Sequence, residues 1–334
     1  MLESDNWGLV NNWCHATPVP GLNMLDWRPD YSQIDLASLE LTPESFKRYR
    51  IDAARQLAKS LGNKPTLAIS GGVDSQAMLQ SFIEAGIDVN VSTLVFDRDL
   101  NGHDVEFAQR CANRFNLNLN IVELPVLQFL QHRLPEYTER YQCSSPQFAC
   151  HNWFFEQLIA QGYTGIVAGG SAWTPAGNTW YWANTSARHS WLTFSQVNSV
   201  PVQGNFLAST WQMALALGCC YTNPGEEIKE FSNSADEFGE YSRIKIEERY
   251  VDKLEAFKRF GFNVMPQANK FTGFERLKEY FIQSSGDYWI FEKRFRWPYE
   301  KKWPNLQGRL ILENKFNQQL LDLNSQYIAS CNLS

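Results

Sequence analysis

Between an apolar run, Thr66-Leu67-Ala68-Ile69, and an amphipathic stretch, Gln76 to Ala85, lie six residues: Ser70-Gly71-Gly72-Val73-Asp74-Ser75. The order is strand, glycine turn, helix. A helix start carries unpaired N–H groups and the positive end of the helix dipole. Two glycines let the backbone approach an anion closely and turn several N–H groups toward it. Ser70 and Ser75 add hydroxyl donors. The segment reads as a phosphate cradle. It is not the common one, because the loop has no lysine and no G-x-x-x-x-G-K-S/T occurs anywhere in the chain. No G-x-G-x-x-G follows a strand, so the dinucleotide fingerprint is also missing.

The pattern around the loop predicts the fold class. Thr42-Pro43-Glu44 starts a helix, with Thr as cap and Pro in the first turn, and the helix runs to about Leu61 before Gly62. Strands are expected at Thr66–Ile69, Val89–Phe96, Leu119–Leu124 and Thr164–Ala168. Helices are expected at Asp74–Ala85, Asp104–Phe115 and Ala149–Ala160. Strands alternating with helices imply an α/β fold with a doubly wound parallel sheet. Residues 1–40, broken by Pro18, Pro20 and Pro29, read as irregular, and 41–172 as the nucleotide-binding domain. Residues 173–334 read as a mostly helical substrate lobe, with helical pieces at Phe206–Leu217, Ser242–Phe260, Phe274–Phe281 and Gly308–Ile328.

Composition narrows the function classes. With 334 residues and a net charge of −6, the chain does not look like a protein whose main task is coating nucleic acid. No run of about 18 apolar residues suggests a membrane span. The acidic start, Met1 to Asp5, does not read as a signal peptide. Seven cysteines without a Cys-x-x-Cys pair argue against a four-thiolate zinc site and for a reducing, cytoplasmic setting. Aromatics cluster between Trp173 and Phe194, either as packing or as the flat walls of a substrate pocket. The aromatic pairs leave a homodimer open.

The loop S-G-G-x-D-S resembles the PP-loop of the adenine nucleotide alpha-hydrolase-like superfamily, enzymes of HUP-like fold that cut ATP between its alpha and beta phosphates. The resemblance implies ATP as cofactor and a phosphate site at Ser70, Gly71, Gly72, Val73, Asp74 and Ser75. It implies adenine against the backbone of Leu94, Val95 and Phe96, and a ribose and phosphate border at Gly169 and Gly170. Asp74, in the first helical turn, is either a dipole partner or a Mg²⁺ ligand. With Ser75 it forms the catalytic pair this resemblance suggests.

Within the superfamily, the order and spacing over residues 45–175 look most like the synthetase domain of asparagine synthetase. The helix before the loop, the acidic start His103 to Ala108, the Cys143-Ser144-Ser145-Pro146 turn and the strand ending in Gly169-Gly170 carry that likeness. Two departures limit it. The family's G-D/E-G-A-D-E is here Gly169-Gly170-Ser171-Ala172-Trp173, so Asp97, Asp99 or Asp104 would have to supply a second carboxylate. The glutaminase half is not expected either, since position 2 is Leu2. A second cousin is the sulfur-transfer group, for which Cys143 and Cys150 would be working thiols; as small buried hydrophobes they would be inert. His151 reads as a packing or capping residue.

The segment from Glu292 to Trp303 carries Arg294, Arg296, Lys301 and Lys302 among aromatics. It is a solvated face, a clamp on triphosphate or a carboxylate substrate, or an RNA contact. The expected activity is ATP-dependent adenylation of a small-molecule oxygen, with nucleic acid as the alternative substrate and a non-catalytic ATP-binding protein as the alternative class.

Overall fold

A computed structural model describes residues 13–18, 25–62, 64–143, 145–170, 173–176, 179–183, 186–221, 253–266, 273–300, 309–311 and 314–331. Strands β1 (Cys14–Pro18) and β2 (Leu25–Pro29) form an antiparallel pair. This differs from the irregular segment expected for residues 1–40. Pro18 and Pro29, read as breakers, stand at strand ends, where the ladder does not need their missing N–H. Trp13, fully buried, donates its indole N–H to Ala208 O at 3.2 Å and so ties this segment to the main body.

Helix α1 (Pro43–Leu61) begins with a capping box between Thr42 and Ser45. Its buried positions Phe46, Tyr49, Ala53, Leu57 and Leu61 recur at three- and four-residue spacing, which lays one face on the core. Then follow β3 (Thr66–Ala68), α2 (Val73–Glu84), β4 (Asn90–Phe96), α3 (Gly102–Arg114) and β5 (Leu119–Leu124). After a short helical and π-turn passage come α4 (Leu134–Tyr141) and α5 (Pro146–Ala160), each with a proline in its first turn. Pro135, a residue that breaks helices at most positions, stands in the first turn of one here.

Strand β6 (Ile166–Ala168) precedes the antiparallel pair β7 (Trp173–Ala176) and β8 (Thr179–Ala183). Helix α6 (Ser186–Asn198), strand β9 (Val202–Gln203) and helix α7 (Trp211–Cys219) come next. The remaining described residues comprise α8 (253–259), α9 (Gly273–Ser285), α10 (Ile290–Phe295), α11 (Trp297–Glu300), β10 (Arg309–Ile311) and α12 (Asn314–Cys331) with their flanking turns. Strand β10 pairs with β8. No helix among the described residues is long and apolar enough to cross a membrane.

The main sheet is parallel throughout, in the order β5-β4-β3-β6-β9. The chain builds outward from β3 through β4 to β5, then returns to the other side of β3 with β6. The carboxyl ends of β3 and β6 are therefore the topological switch point, the usual ligand crevice of such sheets. Strand β9 completes the sheet from within the region expected to be a helical lobe. Two residues are too few for periodicity to betray them.

Two cores flank the sheet. One joins α1, α2 and α3 to α7, α8 and α12; the other joins α4, α5 and α6 to α9 and α10. In the second core, the Glu156 carboxylate accepts from the hydroxyls of Tyr137 and Tyr141 and from Arg140 Nη1 at 2.9 Å. Burial, reinforced by this carboxylate, pushes both phenols well above their ordinary range. Glu156→Ala would leave two buried hydroxyls without their acceptor. It is expected to lower unfolding stability by about 2–3 kcal/mol in urea titration.

Candidate nucleotide site

The loop 70–75 stands at the switch point. Gly72 is the N-cap of α2, and no side chain caps this helix, whereas α1, α5 and α7 are capped by Thr42, Ser145 and Thr210. Gly71 has φ +70°, and a Cβ there would stand 2.5 Å from Ala108 N and from Phe107 Cβ. The loop backbone at Gly71 thus lies directly on α3, just before a helix start whose first N–H groups have no side-chain cap. Gly169 closes in from β6; a Cβ on it would meet Ser75 N at 2.9 Å.

A cleft of about 300 Å³ opens over this point. Ser70, Gly72, Val73, Asp74, Ser75, Leu94, Phe96 and Gly169 all line it. Gly71 is buried against α3 behind the loop, and Gly170 O accepts from Leu207 N at 3.1 Å. Neither of them, nor Val95, is among the described lining residues. Arg294 is exposed on α10, and neither it nor Arg296 is among the described lining residues either. Lys301 and Lys302 lie outside the described residues.

The expected roles shift in detail. Ser75 is buried and its hydroxyl donates to Gly72 O at 2.9 Å, so the hydroxyl proton is engaged within the loop. At the end of β4, the Asn101 side chain receives from Phe96 N at 2.6 Å and donates to Leu94 O at 2.9 Å. The Phe96 N–H expected to meet a base is therefore already bonded. Of the candidate second carboxylates, Asp104 lines the cleft, while Asp97 accepts from Val126 N at 2.8 Å and Asp99 is exposed.

Asp74 presents two unlike oxygens. Its Oδ2 lies 2.8 Å from Lys253 Nζ, a half-buried ion pair, and its Oδ1 is buried and without a partner. One carboxylate oxygen left open beside an anion cradle suits Mg²⁺, which takes one or two carboxylates and completes its shell with substrate phosphates and water. No cluster of three or more His, Cys, Asp or Glu side chains that could hold a metal by itself occurs among the described residues.

Lys253 is a site residue that sequence reasoning missed. It reaches the loop because α2 carries a pair of glutamines that grip the following segment. Gln76 donates to Gly71 O at 2.7 Å and accepts from Met265 N at 2.7 Å, while Gln80 accepts from Asn263 N at 2.8 Å. Arg50 adds an ion pair to Glu84 at 2.7 Å and donates to Phe260 O at 3.0 Å. Gln76 and Gln80, four apart and buried on α2, were the available signal.

His151 also differs from expectation. It lines the cleft from α5, and its Nδ1 is buried without a hydrogen-bond partner. Burial pushes the imidazole down to about 4 from its ordinary 6.5. Between those values the unfolded chain takes up a proton that the folded chain refuses. Its contribution is therefore complete above pH 6.5 and is lost as the pH falls toward 4. His151→Leu is expected to flatten this part of the urea-midpoint curve against pH, by about 2 kcal/mol relative to wild type.

Burial pushes the Cys143 thiol up to about 12 and the Cys150 thiol well above its usual range. Neither is a poised thiolate. In native protein at pH 8, both are expected to react with a thiol reagent at least about tenfold slower than half-exposed Cys331, read by mass spectrometry of the labelled peptides.

In class, the chain is an α/β protein with the S-G-G-V-D-S loop at the switch point of a parallel sheet. No protein-family model matches it, and no curated protein sequence matches it. Among solved structures it is similar to NMN synthetase from Francisella tularensis, at 12% identity, covering 70% of this chain and 100% of that one, with a TM-score of 0.34. It is similar to the glutamine-dependent NAD+ synthetase from Acinetobacter baumannii at 15% identity, covering 75% and 50% of the two chains, with a TM-score of 0.34. It is also similar to the U34-tRNA thiolase NcsA from Methanococcus maripaludis, at 11% identity, covering 78% and 80%, with a TM-score of 0.34.

Proposed function

We propose that this chain is an AMP-forming, ATP-dependent adenylating enzyme acting on a small-molecule substrate. The observation that carries the reading is the uncapped helix start at Gly72, which follows a glycine seated on α3 at the switch point of the sheet and is flanked by Asp74, whose Oδ1 has no hydrogen-bond partner. Loop N–H groups turned to the cleft receive the beta and gamma phosphates. A substrate oxygen, such as a carboxylate, attacks the alpha phosphorus. The bond from that phosphorus to the bridging oxygen breaks, and pyrophosphate leaves with the electron pair. An amine, ammonia or sulfur nucleophile then displaces AMP.

The protein's part is to position the reactants and to neutralise developing charge. Asp74 Oδ1 would hold Mg²⁺, which supplies charge neutralisation on the phosphates when bound. Lys253 fixes the Asp74 carboxylate and places a cation beside the loop. Asp104 offers the cleft a second carboxylate in place of the acidic pair missing after Gly170. The buried thiols of Cys143 and Cys150 speak for a free nucleophile rather than an enzyme-bound sulfur carrier. The thiols of Cys111, Cys143, Cys150, Cys219 and Cys220, all buried and outside any disulfide, fit a reducing, cytoplasmic setting.

Phosphorus NMR of ATP with the purified protein, Mg²⁺ and a small-molecule cell extract tests the proposal. AMP with pyrophosphate is the expected result. ADP with phosphate, or bound ATP that never turns over, would reject adenylation.

A further inference from the structure

The cleft has two chemically unlike ends. At one end the glycine loop offers N–H groups and Asp74. Among the other lining residues are aromatic ones: Phe155 and Phe274 offer flat faces, and Trp191 and His151 bring ring nitrogens. The His151 and Trp191 rings lie 6.2 Å apart between centroids. Trp191 Nε1 and His151 Nδ1 are both buried and both without a hydrogen-bond partner. Nearly all buried polar atoms in folded proteins have one, so two orphans on neighbouring rings of one cleft signal a missing ligand.

The indole is held in place by a close backbone approach. A Cβ on Gly204 would stand 1.8 Å from Trp191 Cε3, so the ring lies directly on that glycine. Meanwhile Asn101 occupies the Phe96 N–H and Leu94 O at the end of β4, removing that edge as the principal reader of a base.

We infer that the aromatic end of this cleft is a subsite for an uncharged, planar nitrogen heterocycle, bonded at its edge by Trp191 Nε1–H and by the His151 imidazole. The indole N–H donates to a ring nitrogen or carbonyl. The imidazole, neutral at pH 7, accepts from an amino group or donates to an oxygen according to tautomer. Flat walls hold the faces. The inference rests on the nucleotide reading of the loop, and the heterocycle is either the base of the bound nucleoside triphosphate or a ring of the second substrate.

Calorimetry on the full chain tests this, with ATP, inorganic tripolyphosphate and adenosine as separate titrants. The proteins are wild type, Trp191→Phe and His151→Leu; the first variant keeps an aromatic ring at this position and removes the indole N–H. If the subsite reads the nucleotide's own base, each variant weakens ATP and adenosine about tenfold and leaves tripolyphosphate unchanged. If it reads a second substrate, ATP is unchanged. Adenosine or cytidine, added to protein saturated with a non-hydrolysable ATP analogue, then loses about tenfold in the variants.

Gly204→Ala, which displaces the indole without touching a polar group, gives the same pattern in either case. Unchanged binding of every heterocycle in both variants overturns the subsite, whatever the loop does. Wild type that binds adenosine but neither ATP nor tripolyphosphate overturns the nucleotide reading instead, and adenosine binding alone still reports on Trp191 and His151.

Discussion

Asp74→Ala is expected to reduce AMP and pyrophosphate formation by at least about 100-fold, the scale on which removing one preorganised electrostatic partner slows a reaction. The side chain has two duties, and each variant separates one. Oδ2 binds Lys253 at 2.8 Å, while Oδ1 is buried and without a hydrogen-bond partner. Asp74→Asn keeps the shape and a hydrogen-bond acceptor but loses the charge, so its deficit should approach that of alanine and deepen at low Mg²⁺. Lys253→Met leaves Asp74 free and should weaken ATP binding more than it slows turnover. A double-mutant cycle on the two positions should show coupling of about 0.5–3 kcal/mol, because the residues touch. Steady-state kinetics with pyrophosphate detection gives all of these. Unimpaired turnover in Asp74→Asn across Mg²⁺ concentrations would remove Asp74 from the chemistry and leave it a packing partner of Lys253.

Gly71→Ala should both destabilise the fold and abolish nucleotide binding. The residue sits at φ +70°, and its added Cβ would stand 2.5 Å from backbone and side-chain atoms of α3. Left-handed strain and overpacking each cost about 1–3 kcal/mol, so a loss of about 2–6 kcal/mol is expected in urea titration. Gly62→Ala is the control. There φ is +98° but nothing lies within 4 Å of the added carbon, so only strain remains, about 1 kcal/mol, and ATP affinity should be untouched. Equal effects at both positions would mean that contact with α3 contributes nothing to loop geometry.

The loop and its frame were legible because their determinants are contiguous. Thr66 to Ala68 is apolar and short, the two glycines come next, and the helix pattern begins at Val73. Strand β5 has the bounds expected of it, and α1 both starts and ends where its cap and Gly62 predict. Misjudged elements had weak local signals: β9 is two residues long, and β1 and β2 are held by pairing and by Trp13 rather than by a strong alternating pattern. Helix α4 was hidden by Pro135, a breaker in most positions and a helix starter in the first turn.

The site was legible only on its phosphate side. Asp74, Ser70 and Gly72 could be named from six residues, since a cradle is a local backbone shape. What faces that cradle is separated from it by long stretches of chain. Lys253 lies 179 positions from Asp74, and Met265 lies 189 from Gln76. Local periodicity carries no information about which distant segment α2 will grip, because that choice is made by packing and by buried amides seeking partners. The same holds for His151 and Trp191, whose rings meet only when α5 and α6 pack together. By itself the sequence determined a strand, a two-glycine turn and a helix in a parallel α/β frame. The tertiary structure decided which cation holds Asp74 and which rings line the rest of the cleft, since those contacts exist only once the chain has closed on itself.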